Sequence, residues 1–128
     1  MRDINSINIL LVEDDNFLAN IYKTKFEMEG FKISVAMDGE TGLKDAIRKK
    51  PDLILLDILL PKRDGFSVLE ELKKDKNTVN IPVILLTNLG QKDDVEKGLQ
   101  MGAVDYMIKA HFKPSEIVEK AKKVLKIS

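Results

Sequence analysis

Three stretches of this chain are apolar at every position: Ile9-Leu10-Leu11-Val12, Leu53-Ile54-Leu55-Leu56 and Val83-Ile84-Leu85-Leu86. A strand with one wet face alternates polar and apolar residues, whereas a strand covered on both faces is apolar throughout. The three runs have the length and continuity of strands buried on both sides.

Two weaker strand candidates, Lys32 to Ala36 and Val104 to Lys109, complete a set of five. Between them lie segments with helical spacing of apolar residues. These carry Phe17, Leu18, Ile21 and Met28; Leu43, Ala46 and Ile47; Val68, Leu69 and Leu72; and Val95 and Leu99. The last carries Ile117, Ala121, Val124 and Leu125, with Glu116–Lys120 and Glu119–Lys123 spaced as i,i+4 pairs on its wet side. Alternation of strand and helix calls for right-handed βαβ crossovers and a parallel sheet. The expected fold is α/β: a five-stranded parallel sheet in the flavodoxin-like order 2-1-3-4-5, doubly wound with five helices.

Composition narrows the chemistry. At roughly 100–200 residues per domain, the 128 residues are expected to form a single domain, 1–128. Lys+Arg 21 cancels Asp+Glu 21, so no basic footprint for direct nucleic-acid binding exists. No apolar run approaches the ~18–20 residues that span a bilayer, so membrane insertion is not expected. Met1 to Ser6 lacks the pattern of a signal peptide, and a cytoplasmic location is expected. The absence of cysteine excludes disulfides, thiolate metal sites and cysteine nucleophiles, and a single histidine makes a histidine-based triad improbable. Carboxylates, hydroxyls and lysines remain.

In an open parallel sheet the ligand site lies beyond the carboxyl ends of the strands. The first strand runs into Glu13-Asp14-Asp15, the third into Asp57, the fourth into Thr87 and the fifth into Lys109. Brought together, Glu13, Asp14 and Asp57 repel, and Lys109 alone does not neutralise them. Either their pKa values rise or a cation joins them. Mg²⁺ suits an all-oxygen site completed by waters and a phosphate. Asp57 is the candidate nucleophile, since a carboxylate attacking phosphorus gives an aspartyl phosphate. Thr87 could donate a hydrogen bond to one phosphoryl oxygen and Lys109 could pair with another. Leu60-Pro61 to Asp64-Gly65 reads as a tight loop after Asp57.

This set of residues resembles the receiver domain of two-component response regulators, over essentially the whole chain. The resemblance rests on Ile9 to Asp15, then Asp57 with Pro61, Asp64 and Gly65, then Leu86-Thr87, Gly102-Ala103, and Asp105-Tyr106 through Lys109. It implies Glu13 and Asp14 as the acidic pair, Asp57 as phospho-acceptor, Lys109 as the site lysine, and Thr87 with Tyr106 as a switch pair. It implies Mg²⁺, with Mn²⁺ able to substitute, held by Glu13, Asp14, Asp57 and the backbone carbonyl of Leu59. The implied donor is a histidine kinase or phosphotransfer protein, and the output is a downstream protein partner bound through the face of the fourth helix, last strand and last helix. Such a domain is not an enzyme beyond its own phosphorylation and dephosphorylation, and acts as a monomer or a phosphorylation-dependent dimer.

Three departures from the family pattern carry expectations. Lys109 precedes Ala110 where the family usually has a cis proline; a cis non-proline bond costs about 3–4 kcal/mol, yet a retained cis bond is expected because the phosphate still needs its cation. Leu59 and Leu89 stand two residues after Asp57 and Thr87, where they flank the path of attacking water, so a long-lived phosphorylated state is expected. Asn88 replaces a small residue and either narrows access to Asp57 or points to solvent. Gly98 reads as a loosely held switch helix or as close packing. His111 reads as a solvated loop residue, and Met37, Met101 and Met107 as core filler.

The main rival is a pseudo-receiver, an interaction module without phosphotransfer, for which Ala110 speaks. A flavodoxin-like flavin carrier would need a hydroxyl- and glycine-rich phosphate loop where Glu13-Asp14-Asp15-Asn16 stands. A metal-dependent phosphatase would need a separate general acid and a substrate cap. Direct control of transcription would need residues beyond Ser128.

Overall fold

The computed structural model describes residues 3–127, so the ends of the expected 1–128 domain, including the start of the Met1–Ser6 reading, lie outside the described residues. Strands β1 (Asn8–Val12), β2 (Lys32–Ala36), β3 (Leu53–Leu56), β4 (Val83–Thr87) and β5 (Asp105–Ile108) alternate with helices α1 (Asn16–Met28), α2 (Gly39–Lys49), α3 (Gly65–Lys74), α4 (Lys92–Gln100) and α5 (Pro114–Leu125). The five strands form one parallel sheet, as the alternation predicts, in the expected flavodoxin-like order β2-β1-β3-β4-β5.

The continuous apolar runs follow from the strand period of two. Ile9, Leu11, Leu53, Leu55, Ile84 and Leu86 point to one face, where α1 and α5 cover them through Tyr22, Phe26, Ile117 and Ala121. Leu10, Val12, Ile54, Leu56, Val83 and Leu85 point to the other, beneath Ala46 of α2 and Val68, Leu69 and Leu72 of α3. Both faces are dry, so neither set can be polar. Local chemistry starts the helices. Asp15 accepts hydrogen bonds from the Phe17 and Leu18 amides, Asp38 from Thr41 and Asp64 from Ser67, each satisfying first-turn donors. Pro114 opens α5, and Glu116 reaches back to the Lys113 amide at 2.8 Å.

The helical spacing located the helices but misjudged some of their faces. Phe17 and Met28 of α1 are 73% and 74% exposed, while Ala19, Tyr22 and Phe26 face the sheet. Phe26 meets Phe31 edge to face with ring centroids 5.5 Å apart. Phe17, Ile21 and Met28 instead line an open apolar groove with Pro114. In α4 only Gly98 is buried, and Leu99 is exposed. On α5 neither expected i,i+4 pair is found among the described residues: Lys120 pairs with Asp105 at 2.8 Å, and Lys122 with Glu29 at 3.0 Å and Glu119 at 3.8 Å. Among the described residues no helix is long and apolar enough to cross a membrane.

Candidate functional site

The sheet carries its polar residues to one edge. The Glu13 amide donates to Ala36 O at 2.9 Å and the Asp57 amide to Val12 O at 3.1 Å, so both acids are placed by continuation of the strand pairing. Both are buried, whereas Asp14 is exposed. One Asp57 oxygen, Oδ1, accepts from the Ile58 amide at 2.7 Å and the Leu59 amide at 3.3 Å. Its other oxygen, Oδ2, takes Lys109 Nζ at 2.6 Å. The same ammonium touches Glu13 Oε1, and Glu13 Oε2 accepts from the Asp15 amide at 3.0 Å. The loop after Asp57 closes where the Gly65 amide donates to Ile58 O at 2.8 Å. A Cβ at Gly65 would lie 2.2 Å from Asp57 O, so this approach requires glycine.

Electrostatics follows from this packing. Burial pushes the Glu13 carboxyl up, against the opposing pull of Lys109 and the Asp15 amide. Burial also works against the Lys109 ammonium, but hydrogen bonds to Asp57 and Glu13 prevail and its pKa is raised. Glu13, Asp14 and Asp57 each present a carboxylate oxygen within 4.8 Å of the others. Three carboxylates against one ammonium leave two negative charges, and among the described residues Lys109 is the one partner of Glu13 Oε1. Hard oxygen donors, partly buried and undercompensated, fit a divalent cation such as Mg²⁺.

The other expected residues lie nearby with partners of their own. Thr87 is fully buried, and its Oγ1 accepts from the Leu89 amide at 3.3 Å rather than bonding to Asp57. The Tyr106 hydroxyl donates to the Leu89 carbonyl, a partner that no sequence pattern indicated. Burial, with the Asp94 and Asp57 charges, pushes the Tyr106 phenol up to about 12. Gly98 is explained by close packing: a Cβ there would lie 2.5 Å from Leu85 Cδ1 and 3.1 Å from Tyr106 Cδ2. Leu59 is exposed at the rim and Leu89 is half-buried. His111 is exposed, Met107 is buried, and Met37 and Met101 are half-buried.

One expectation is corrected. The Lys109–Ala110 bond is trans, not cis. Residues Lys109–His111 form a 3-10 turn, and from it the lysine side chain still spans to both carboxylates. Its long stem supplies the reach, so the cost of a cis non-proline bond is not incurred. Asn88 does not simply point to solvent either; its Oδ1 accepts from the Ala110 amide at 3.1 Å. The signal for that contact was available as a polar residue at one strand end facing a non-proline amide at the next.

Comparison with known proteins agrees with this fold. The family model for the response regulator receiver domain matches residues 9–122. The DNA-binding dual master transcriptional regulator RpaA of Synechocystis is 39% identical over 118 residues, 92% of this chain and 48% of the relative. The chain spans about half the length of the curated relatives it first matches. A Francisella response regulator receiver domain superposes with TM-score 0.87 at 33% identity, covering 94% of this chain and 98% of that one. The receiver domain of a Pseudomonas aeruginosa sensor histidine kinase, described with magnesium coordinated in its active-site cleft, superposes with TM-score 0.85 at 31% identity, covering 94% and 98%.

Proposed function

The chain belongs to the response regulator receiver domain family, and on that premise we propose that it is a Mg²⁺-dependent phospho-acceptor, with Asp57 as the residue phosphorylated. What supports the reading is one observation: Asp57 is buried at a strand end, bonded to Lys109, with Glu13 and Asp14 carboxylates beside it. The donor is a phosphohistidine of a histidine kinase or phosphotransfer protein, or a small phosphoramidate in its place.

Asp57 attacks the donor phosphorus; the P–N bond breaks, the nitrogen keeps the electron pair and takes a proton, and an acyl phosphate forms. Lys109 exchanges its contact with Asp57 for one with a phosphoryl oxygen. Thr87, whose hydroxyl accepts from Leu89, has its own proton free to donate to another oxygen. Glu13, Asp14, Asp57 and the Leu59 carbonyl would hold Mg²⁺, which would supply positive charge against the transferred group. That hydrogen bond draws Thr87 towards the phosphoryl group and opens room for the Tyr106 ring, and the surface of α4, β5 and α5 changes for a protein partner. Ala110, the residue that spoke for an interaction module without phosphotransfer, leaves Lys109 in contact with Asp57.

The test is intact mass after incubation with phosphoramidate, with and without Mg²⁺, on the wild type and Asp57→Asn. One phosphoryl group that requires Mg²⁺ and is absent from the variant is expected. No added mass under any condition would overturn the reading in favour of the interaction module.

A further inference from the structure

We propose that Asn88 is a positioning residue for Lys109, acting through the hydrogen bond that its side chain accepts from the Ala110 amide. The inference rests on the phosphotransfer reading above and adds a residue to it.

The pairing of β4 with β5 ends at Thr87 and Ile108. Lys109 is the next residue, and its ammonium must reach inward to Asp57 and Glu13. Beyond it the backbone turns into the 3-10 segment Lys109–His111, which has no side-chain cap of its own. The first amides of such a turn lack acceptors within it. The Ala110 amide finds its acceptor across the strand ends, 22 residues away, in Asn88 Oδ1 at 3.1 Å. Lys109 is thereby bracketed: the sheet holds Ile108 on one side and Asn88 holds Ala110 on the other.

Asn88 and Ala110 are exposed, whereas the Lys109 side chain is 7% exposed. Water would satisfy either exposed group if the bond were lost, so the bond matters for the aim of the lysine rather than for the stability of the core. Asn88 also lies between two residues already engaged. Thr87 accepts from the Leu89 amide, and the Leu89 carbonyl accepts from Tyr106. One short segment thus fastens the threonine, the tyrosine and the lysine turn.

The experiment is the rate of phosphoryl labelling by phosphoramidate at saturating Mg²⁺ for wild type, Asn88→Ala, Ala110→Pro and the double variant, with thermal unfolding of each. Asn88→Ala is expected to lower the maximal rate on the order of tenfold, with little change in the half-saturating donor concentration or in Tm. In the Ala110→Pro background, where position 110 has no amide proton, the same change is expected to have little further effect. Labelling of Asn88→Ala at the wild-type rate, or an equal loss in both backgrounds, would overturn the inference while leaving the phospho-acceptor reading intact. A wild type that gains no phosphoryl group would overturn both.

Discussion

Lys109 Nζ lies 2.6 Å from Asp57 Oδ2, an ion pair between two buried side chains that are 52 residues apart in the sequence. Because the ammonium also touches Glu13, one cation stands between two carboxylates that would otherwise face each other unscreened. The end of β5 is thereby tied to the ends of β1 and β3, and the site is held together by the charges it uses.

Removing that cation should be costly. Lys109→Met leaves the buried carboxylates uncompensated, and a loss of about 3 kcal/mol is expected at pH 7. Urea unfolding followed by circular dichroism measures it, and the deficit should shrink as the pH falls and the acids take up protons. The wild-type ammonium has its pKa raised above 10.5 in the fold. Its contribution is therefore fully present below pH 10.5 and is lost as the pH rises through the folded value.

Glu13 has the opposite consequence at neutral pH. Its carboxyl is raised above the ordinary 4.5, chiefly by burial. A raised pKa favours the folded state at low pH, and that advantage is lost as the pH climbs from 4.5 through the folded value. Glu13→Gln is therefore expected to raise Tm at pH 7 without divalent cations and to make no difference well below pH 4.5. An unchanged or lower Tm at pH 7 would contradict the assignment.

Tyr106 should resist ionisation. With its phenol at about 12, spectrophotometric titration should show it neutral at pH 10, and its share of stability is present below pH 10 and lost as the pH approaches 12. Tyr106→Phe removes the donor to the Leu89 carbonyl at a cost of about 1 kcal/mol. Faster amide exchange at Gly90 and Gln91 is the local signature to look for.

On the proposed phospho-acceptor function, the leucines near Asp57 should slow loss of the phosphoryl group. Leu59 and Leu89 place apolar surface two residues beyond Asp57 and Thr87. Replacing both with Asn is expected to speed dephosphorylation at least about tenfold, short of the roughly 10²–10⁴ of a positioned acid or base. Decay of the phosphorylated mass with time reads this directly, and equal half-lives would show that the leucines do not obstruct water.

The two faces of α1 make a structural test. Phe26 is buried and Phe17 is exposed. Phe26→Ala should cost about 3–5 kcal/mol, whereas Phe17→Ala should stay within about 0.5 kcal/mol of wild type. Equal losses would mean that Phe17 packs inward, as its apolar character alone would have it.

The parallel sheet was legible in the chain itself, because a strand dry on both faces must be apolar at every position, and Ile9 to Val12, Leu53 to Leu56 and Val83 to Leu86 are; its order came from the flavodoxin-like pattern that five such strands suit. The polar edge was legible for a related reason: parallel strands bring their carboxyl ends to one edge, so Glu13, Asp57, Thr87 and Lys109 could be placed together before any contact was known. Tertiary structure alone decided which face of α1 is covered, since Phe17, Ile21 and Met28 satisfy a helical period as well as Tyr22 and Phe26 do, and only the position of α5 and the sheet selects between them. It also decided that Lys109 reaches Asp57 across a trans bond, that Tyr106 is held by a carbonyl and that Asn88 holds Ala110. A hydrogen bond forms over about 3 Å between groups that are far apart along the chain. Periodicity carries no record of such distances, which exist only once the strands have been laid side by side.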